Sequence, residues 1–359
     1  MADVDILHQR LMNQMISHPV LTKVADVVKH LGAVQAQDYA AALWAIGLRL
    51  PNSTEAKVDE AIANGDVLRT HVMRPTWHFV PPDDIRWMLK LSASRIHKQM
   101  AATYRQVEVD AKLFARTNSL IGKALESGEH LTRSEIKSVL ERAGISLVRE
   151  RLGFLLIAAE LDALVCNGKR KGKQFTYALL DNRAPKSNRL SPEEARATLA
   201  KRYFTSHGPA TARDYAWWSG MTLTEAKASI EIIKRDLVSR DLEGQLYWSP
   251  KAVTPIKRKP QTIYLLPNFD EYTVAYADRK LIFDQTHKPK LDVRGQAIFQ
   301  YAIILDGRIV GTWRRTLKKG SVIIEPVKFS KLNDRQERAF IKAAEHYAKF
   351  VSQKLILST

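Results

Sequence analysis

Cysteine is almost absent: Cys166 is the only one in 359 residues. No intrachain disulfide can form, and the expected compartment is a reducing cytoplasm. No uncharged apolar run is long enough to span a bilayer, and the acidic start Met-Ala-Asp-Val-Asp lacks the apolar stretch of a signal peptide. A membrane role is therefore not expected. The ten histidines show no His-x-x-x-His spacing and Cys166 stands alone, so no metal and no other cofactor is expected. Acid is also in deficit, 38 Asp and Glu against 56 Lys and Arg, a formal net charge of +18. Such a balance suits a polyanion, and nucleic acid is the first candidate, because fixed cations displace counterions from phosphates. Solubility alone would account for the same excess less specifically.

What the chain does have is a crowd of polar side chains at a helix entrance. Val34-Gln35-Ala36-Gln37-Asp38-Tyr39 opens an apolar run through Trp44 and Ile46. In an extended segment, Gln35 and Gln37 send their side chains to one side, where two amides can hold a water. An amide is too weak a base to deprotonate water, so the pair suits a reaction with an activated leaving group. Hydrolysis of the N-glycosidic bond of a cationic, alkylated purine is such a reaction, since the base departs neutral. The competing reading is structural: the glutamines satisfy backbone groups, and Asp38 caps the helix through Trp44.

The local patterns repeat. Residues 108–182 read as a helix to Glu126, a second helix opened by the Thr132/Glu135 capping box, and a third carrying Val148, Leu152, Leu155, Leu156 and Ala159. Strands at 163–166 and 174–177 then flank a basic tip, which is the order of a winged helix. The order recurs at 191–249, with helices at 192–206, from Thr211 through Trp217 and Trp218, and from Thr222, before a hairpin at 237–248. Adjacent Trp217 and Trp218 point apart on a helix, so at least one should be buried. A third copy is expected in the first hundred residues, with helices at 6–16, 21–31 and 39–48 and a strand pair at 67–80.

After 251–260, read as a linker, strand-like runs at 262–266, 297–305, 309–313 and 321–325 precede a helix at 333–353. Asp306-Gly307 is a hairpin turn signal. The expected class is thus α+β: tandem winged-helix modules at 1–107, 108–182 and 183–250, and a β-rich domain at 260–359 ending in a helix.

Gly32-Ala33-Val34-Gln35-Ala36-Gln37-Asp38 followed by Trp44 resembles the signature of the AlkZ-like winged-helix DNA glycosylases. The stretches from Arg69 to Phe79, Leu265-Leu266-Pro267-Asn268-Phe269-Asp270, Tyr276-Ala277-Asp278-Arg279 and Asp306-Gly307-Arg308 with Gly311-Thr312-Trp313-Arg314-Arg315 resemble further family segments, in family order. The resemblance implies tandem winged helices, a concave surface for double-stranded DNA, and monofunctional release of N7-alkylated purines. In some members it also implies unhooking of interstrand crosslinks. It assigns water positioning to Gln35 and Gln37 as the catalytic pair.

Asp38, His71 and His78 are the candidates for catalytic support. A hairpin turning at Arg74-Pro75 would set the two imidazoles face to face, although Pro75 disfavours so tight a turn. DNA contacts are expected from Arg69 and Arg74, from Lys169, Arg170, Lys171 and Lys173 at the wing tip, from Arg149 and Arg151 beside it, and from Arg314 and Arg315. The protein is expected to act as a monomer on alkylated or crosslinked DNA, cytoplasmic and nucleoid-associated. The alternative is a multi-winged-helix transcriptional regulator without chemistry, which would discriminate between DNA sequences and not respond to alkylation.

Overall fold

The computed structural model describes residues 3–184, 186, 190–251, 261–284, 286–287 and 300–358. Along the chain run α1 (Asp3–Asn13), α2 (Val24–Leu31), β1 (Val34–Gln35), α3 (Tyr39–Gly47), α4 (Glu55–Asn64), β2 (Leu68–His71), β3 (Trp77–Val80) and α5 (Ile85–Gln106). Then follow α6 (Ala111–Leu125), β4 (Leu131–Thr132), α7 (Arg133–Arg142), α8 (Arg151–Leu161), β5 (Val165–Asn167), β6 (Thr176–Leu179) and α9 (Leu180–Arg183). The remainder comprises α10 (Pro192–His207), α11 (Ala212–Ser219), α12 (Leu223–Ile233), β7 (Leu237–Leu242), β8 (Gln245–Pro250), β9 (Ile263–Leu266), α13 (Glu271–Val274), β10 (Ala302–Leu305), β11 (Arg308–Lys318), β12 (Ser321–Lys328), α14 (Asp334–Phe350) and β13 (Lys354–Leu357). The chain is α+β.

Two compact units form, Met1–Asp59 with Ala197–Thr359, and Glu60–Arg196. Their boundaries fall inside α4 and α10 and differ from the sequential modules read along the chain. The reason lies in burial: the apolar side of α3 finds its partners far along the sequence. Trp44 is buried, donates its indole N–H to the Leu265 carbonyl at 2.8 Å, and meets Tyr347 and Phe350 of α14 edge-on or tilted, with centroids 5.2 and 5.0 Å away.

In the first unit, a sheet runs in the order β13-β12-β11-β10-β9. Its β9 to β12 pairs are antiparallel, and β13 joins parallel to β12. Asp306 and Gly307 form the expected two-residue turn, with φ of 48° and 87° between the paired Leu305 and Arg308. Both residues need positive φ, and Asp and Gly tolerate it. The expected strand at 297–305 is realised at Ala302–Leu305, with 297–299 outside the described residues. The linker expected at 251–260 also lies outside them, except for Lys251. Capping boxes at Thr211/Asp214, Thr222/Glu225 and Asn333/Gln336 start α11, α12 and α14. Each cap satisfies otherwise orphaned helix N–H groups. Trp218 is buried while Trp217 remains 45% exposed, as adjacent helical positions require.

The second unit is built around α5 to α8. Ile121, Leu125, Ile136, Leu140, Leu155, Leu156 and Val165 form its core. The capping box of Thr132 and Glu135 opens α7. Val148 is a correction: it precedes α8 and is exposed, while Leu152, Leu155, Leu156 and Ala159 are buried as expected. The strands sit two residues later than expected, because Ala163 turns the chain with φ 57° after α8. Along the chain the basic β5–β6 hairpin follows α6, α7 and α8, and its sheet runs in the order β4-β6-β5. Helices α4, α5, α9 and α13 and strand β13 had no counterpart in the sequence reading.

Candidate active site of the first unit

The amide pair sits where the chain passes from α2 into α3. Gly32 ends α2 at φ 83°, and a Cβ there would meet the Trp218 ring at 3.3 Å, so glycine suits the site on both counts. Gln35 is 9% exposed, Ala36 is fully buried and Gln37 is exposed. The pair therefore straddles the boundary between interior and surface. Asp38 is the N-cap of α3: one oxygen accepts from the Ala41 N–H at 3.1 Å, and the other accepts from the Asn268 amide at 3.4 Å.

The main chain of Gln35 is anchored from behind. Its N–H donates to Glu271 Oε1 at 2.8 Å, and the Trp218 indole donates to Glu271 Oε2 at the same distance. His207 Nε2 lies 3.5 Å from Oε2, and its ring stacks on Tyr203 with centroids 4.9 Å apart. Burial lowers the His207 pKa, against the opposing pull of Glu271. Beyond α3, Arg49 forms a bidentate, fully buried pair with Asp270, both contacts at 2.8 Å. The same guanidinium also donates to the Gln14 and Ala45 carbonyls.

Arg315 shares this unit. It donates to the Tyr347 hydroxyl and lies over the Tyr301 ring at 5.5 Å. Burial raises the Tyr301 phenol pKa; Arg315 opposes that rise and the Asp38 carboxylate adds to it, which puts Asp38 and Tyr301 within one another's field. Arg315 lies in β11, longer than expected, and its neighbour Arg314 is exposed and pairs in register with Glu325.

The other candidates belong to the second unit. A β2–β3 hairpin does form there, but the chain turns through a longer loop at 72–76 and His71 stands opposite Trp77, not His78. The face-to-face imidazoles of a tight turn are thus corrected by register. His71 Nδ1 meets Glu160 Oε2 at 2.5 Å, and its backbone N–H donates to the same oxygen at 2.8 Å. His78 Nδ1 is 2.9 Å from the Thr76 carbonyl and Nε2 is 3.4 Å from the Arg74 guanidinium. A carbonyl can only accept, so Nδ1 carries the proton and Nε2 faces Arg74 with its lone pair. The Arg69 guanidinium is 4.3 Å from the Trp77 ring centroid and 4.8 Å from that of Phe175.

At the tip of the β5–β6 hairpin Lys169, Lys171 and Lys173 are exposed, and Arg170 lies over Phe175 at 5.6 Å. Lys171 also reaches Glu135 at 2.9 Å, and the Thr132 backbone N–H together with Lys171 brings the Glu135 carboxyl down to about 2. Arg149 is exposed. Arg151 is buried and spends its donors on the Val107 and Ser146 carbonyls and on Glu108, all at 2.9–3.0 Å. It fastens the chain around α8. The pairings of Glu271 with Gln35 and Trp218, of Asp270 with Arg49 and of Glu160 with His71 had no signal in sequence, since each partner is distant along the chain. Among the described residues, no three His, Cys, Asp or Glu side chains are grouped as a metal would require. No helix there is long and apolar enough to cross a membrane.

The sequence model of the family described as DNA glycosylase AlkZ-like matches residues 28–350, and the chain belongs to that family of DNA glycosylases. It is an enzyme of the DNA repair class, and the reading as a regulator without chemistry gives way to that membership. The chain is similar to the interstrand DNA cross-link repair glycosylase of Streptomyces sahachiroi, at 24% identity over 358 residues that cover 96% of this chain and 94% of that one. Its fold is that of the Streptomyces sahachiroi DNA glycosylase AlkZ, with a TM-score of 0.80 at 22% identity, covering 99% of this chain and 98% of that one.

Proposed function

We propose that this chain is a monofunctional glycosylase that hydrolyses the N-glycosidic bond of N7-alkylated purines in duplex DNA and unhooks crosslinks made through the same position. The observation that carries this reading is the placing of Gln35 and Gln37 across the surface boundary, on a main chain anchored by a buried carboxylate. The two amides hold the attacking water. Its oxygen bonds to C1′ of the sugar while the C1′–N9 bond breaks, and the electron pair of that bond neutralises the charge on the alkylated ring. The water proton passes to solvent, and the Asp38 carboxylate, fixed as a helix cap, lends negative potential to the oxocarbenium-like state.

Three winged-helix modules carry the duplex in this reading, and Arg69, Arg74, Lys169, Arg170, Lys171, Lys173, Arg149, Arg314 and Arg315 supply the cationic charge, while Arg151, turned inward, does not. His71 and His78 act within the second unit, where they meet Glu160 and Arg74. No metal or organic cofactor takes part. The protein works as a monomer on cytoplasmic, nucleoid-bound DNA.

The test is incubation of purified protein with a duplex carrying N7-methylguanine and with a nitrogen-mustard crosslinked duplex. Free base and an alkali-labile abasic site are expected from the first, and separated strands from the second. Strand cleavage without added base or heat contradicts the monofunctional reading. Turnover of neither duplex contradicts the lesion class.

A further inference from the structure

Two consecutive carboxylates reach opposite ends of the segment that carries the amide pair. Asp270 holds Arg49, just past the end of α3, and Glu271 holds the Gln35 N–H, just before its start. Because the two acids are neighbours in the chain, the distance between the anchors is fixed. The Gln35 main chain cannot slide along the α3 axis without breaking a charged hydrogen bond or an ion pair.

Glu271 is fully buried, and a carboxylate in such a place is tolerated only where matched donors offset its desolvation. What an apolar side chain cannot do is accept two N–H donors at once, from the Gln35 backbone and the Trp218 indole, each at 2.8 Å. We infer that Glu271 is a positioning residue for the glycosylase reaction: it fixes the Gln35 main chain so that the Gln35 amide meets the water shared with Gln37. The inference rests on the reading that these two amides hold the attacking water.

The chemistry of the carboxylate supplies the test. Glu271→Gln keeps the volume but leaves one acceptor oxygen for two donors, so its NH2 must oppose an N–H at either Gln35 or Trp218. Trp218→Phe removes the indole donor. In the double variant, the amide oxygen is free to serve Gln35, while its NH2 turns toward His207, whose Nε2 lies 3.5 Å from the present Oε2.

Single-turnover release of N7-methylguanine and duplex affinity are measured for the wild type, Glu271→Gln, Trp218→Phe, the double variant and Gln37→Ala. Misplacement of a reacting group makes Glu271→Gln about 100-fold slower with unchanged affinity, and the double variant recovers about 10-fold of that loss. A wild-type rate for Glu271→Gln overturns the inference, as does a double variant no faster than Glu271→Gln, which marks Glu271 as packing only. If Glu271→Gln alone does not fold, the double variant is compared with Trp218→Phe: a double variant within about 10-fold of Trp218→Phe supports the inference, and a folded, DNA-binding double variant slower than that overturns it. Gln37→Ala separates the two ideas. A wild-type rate there sinks the amide reading itself, whereas a slow Gln37→Ala beside a fast Glu271→Gln sinks the positioning role alone.

Discussion

Charge around Gln35 is buried and matched donor to acceptor, whereas charge at the tip of the β5–β6 hairpin stands in solvent. Asp270 and Glu271 are both buried and fixed at 2.8 Å to Arg49 and to the Gln35 N–H. Lys169, Lys171 and Lys173 are exposed, and Lys171 shares itself with Glu135 on the surface. Buried pairs tolerate little displacement and so hold geometry; exposed cations on flexible stems supply a field that follows a polyanion. Chemistry at a single bond needs the first arrangement, and affinity for a duplex needs the second.

The comparison breaks most sharply where a buried charge loses its partner. Arg49→Met leaves the Asp270 carboxylate unpaired in the interior, and urea unfolding is expected to show a loss of about 3–5 kcal/mol. A loss below about 1 kcal/mol would place this pair among the surface bridges that contribute little. At the hairpin, joint replacement of Lys169, Lys171 and Lys173 by Ala is expected to lower the slope of log affinity against log salt by about 3, at about 0.9 per phosphate contact. The rate of the bound complex should not move. An unchanged slope would remove these lysines from the DNA surface.

Smaller effects sharpen the contrast. Thr132→Ala removes the α7 capping box and is expected to cost about 1 kcal/mol, read by thermal or urea unfolding. Glu135 carries the weakest effect, because it is exposed. Its pKa is depressed from 4.5 to about 2 by the Thr132 backbone N–H and Lys171, so its stabilisation is full above about pH 4.5 and is lost as pH falls toward 2. Glu135→Gln should flatten that acid limb, and an unaltered limb would assign it to other carboxylates.

Those two predictions concern features that short-range rules make legible. A capping box needs only four consecutive residues, and a two-residue primed turn only Asp306 and Gly307, so both can be read directly from sequence. The same holds for the split between Trp217 and Trp218. The Gln-x-Gln segment was legible too, since two amides beside a helix start are conspicuous. What positions it was not: Glu271 lies 236 residues from Gln35, and Asp270 lies 221 residues from Arg49. No periodicity connects partners at that separation. The Arg151 guanidinium was read as part of a DNA surface, yet it binds carbonyls inside its own unit, because a long cation beside an apolar stripe can also turn inward. The His71 and His78 geometry depended on loop length, and a longer loop changed which residues face each other.

The central claim concerns two neutral amides and one water. Gln35→Ala/Gln37→Ala, compared with the wild type on N7-methylguanine duplex under single-turnover conditions, tests it most directly. The account predicts that base release falls by at least about 100-fold while the affinity for the duplex stays within about 2-fold. Release at the wild-type rate by a folded, DNA-binding double variant would contradict it.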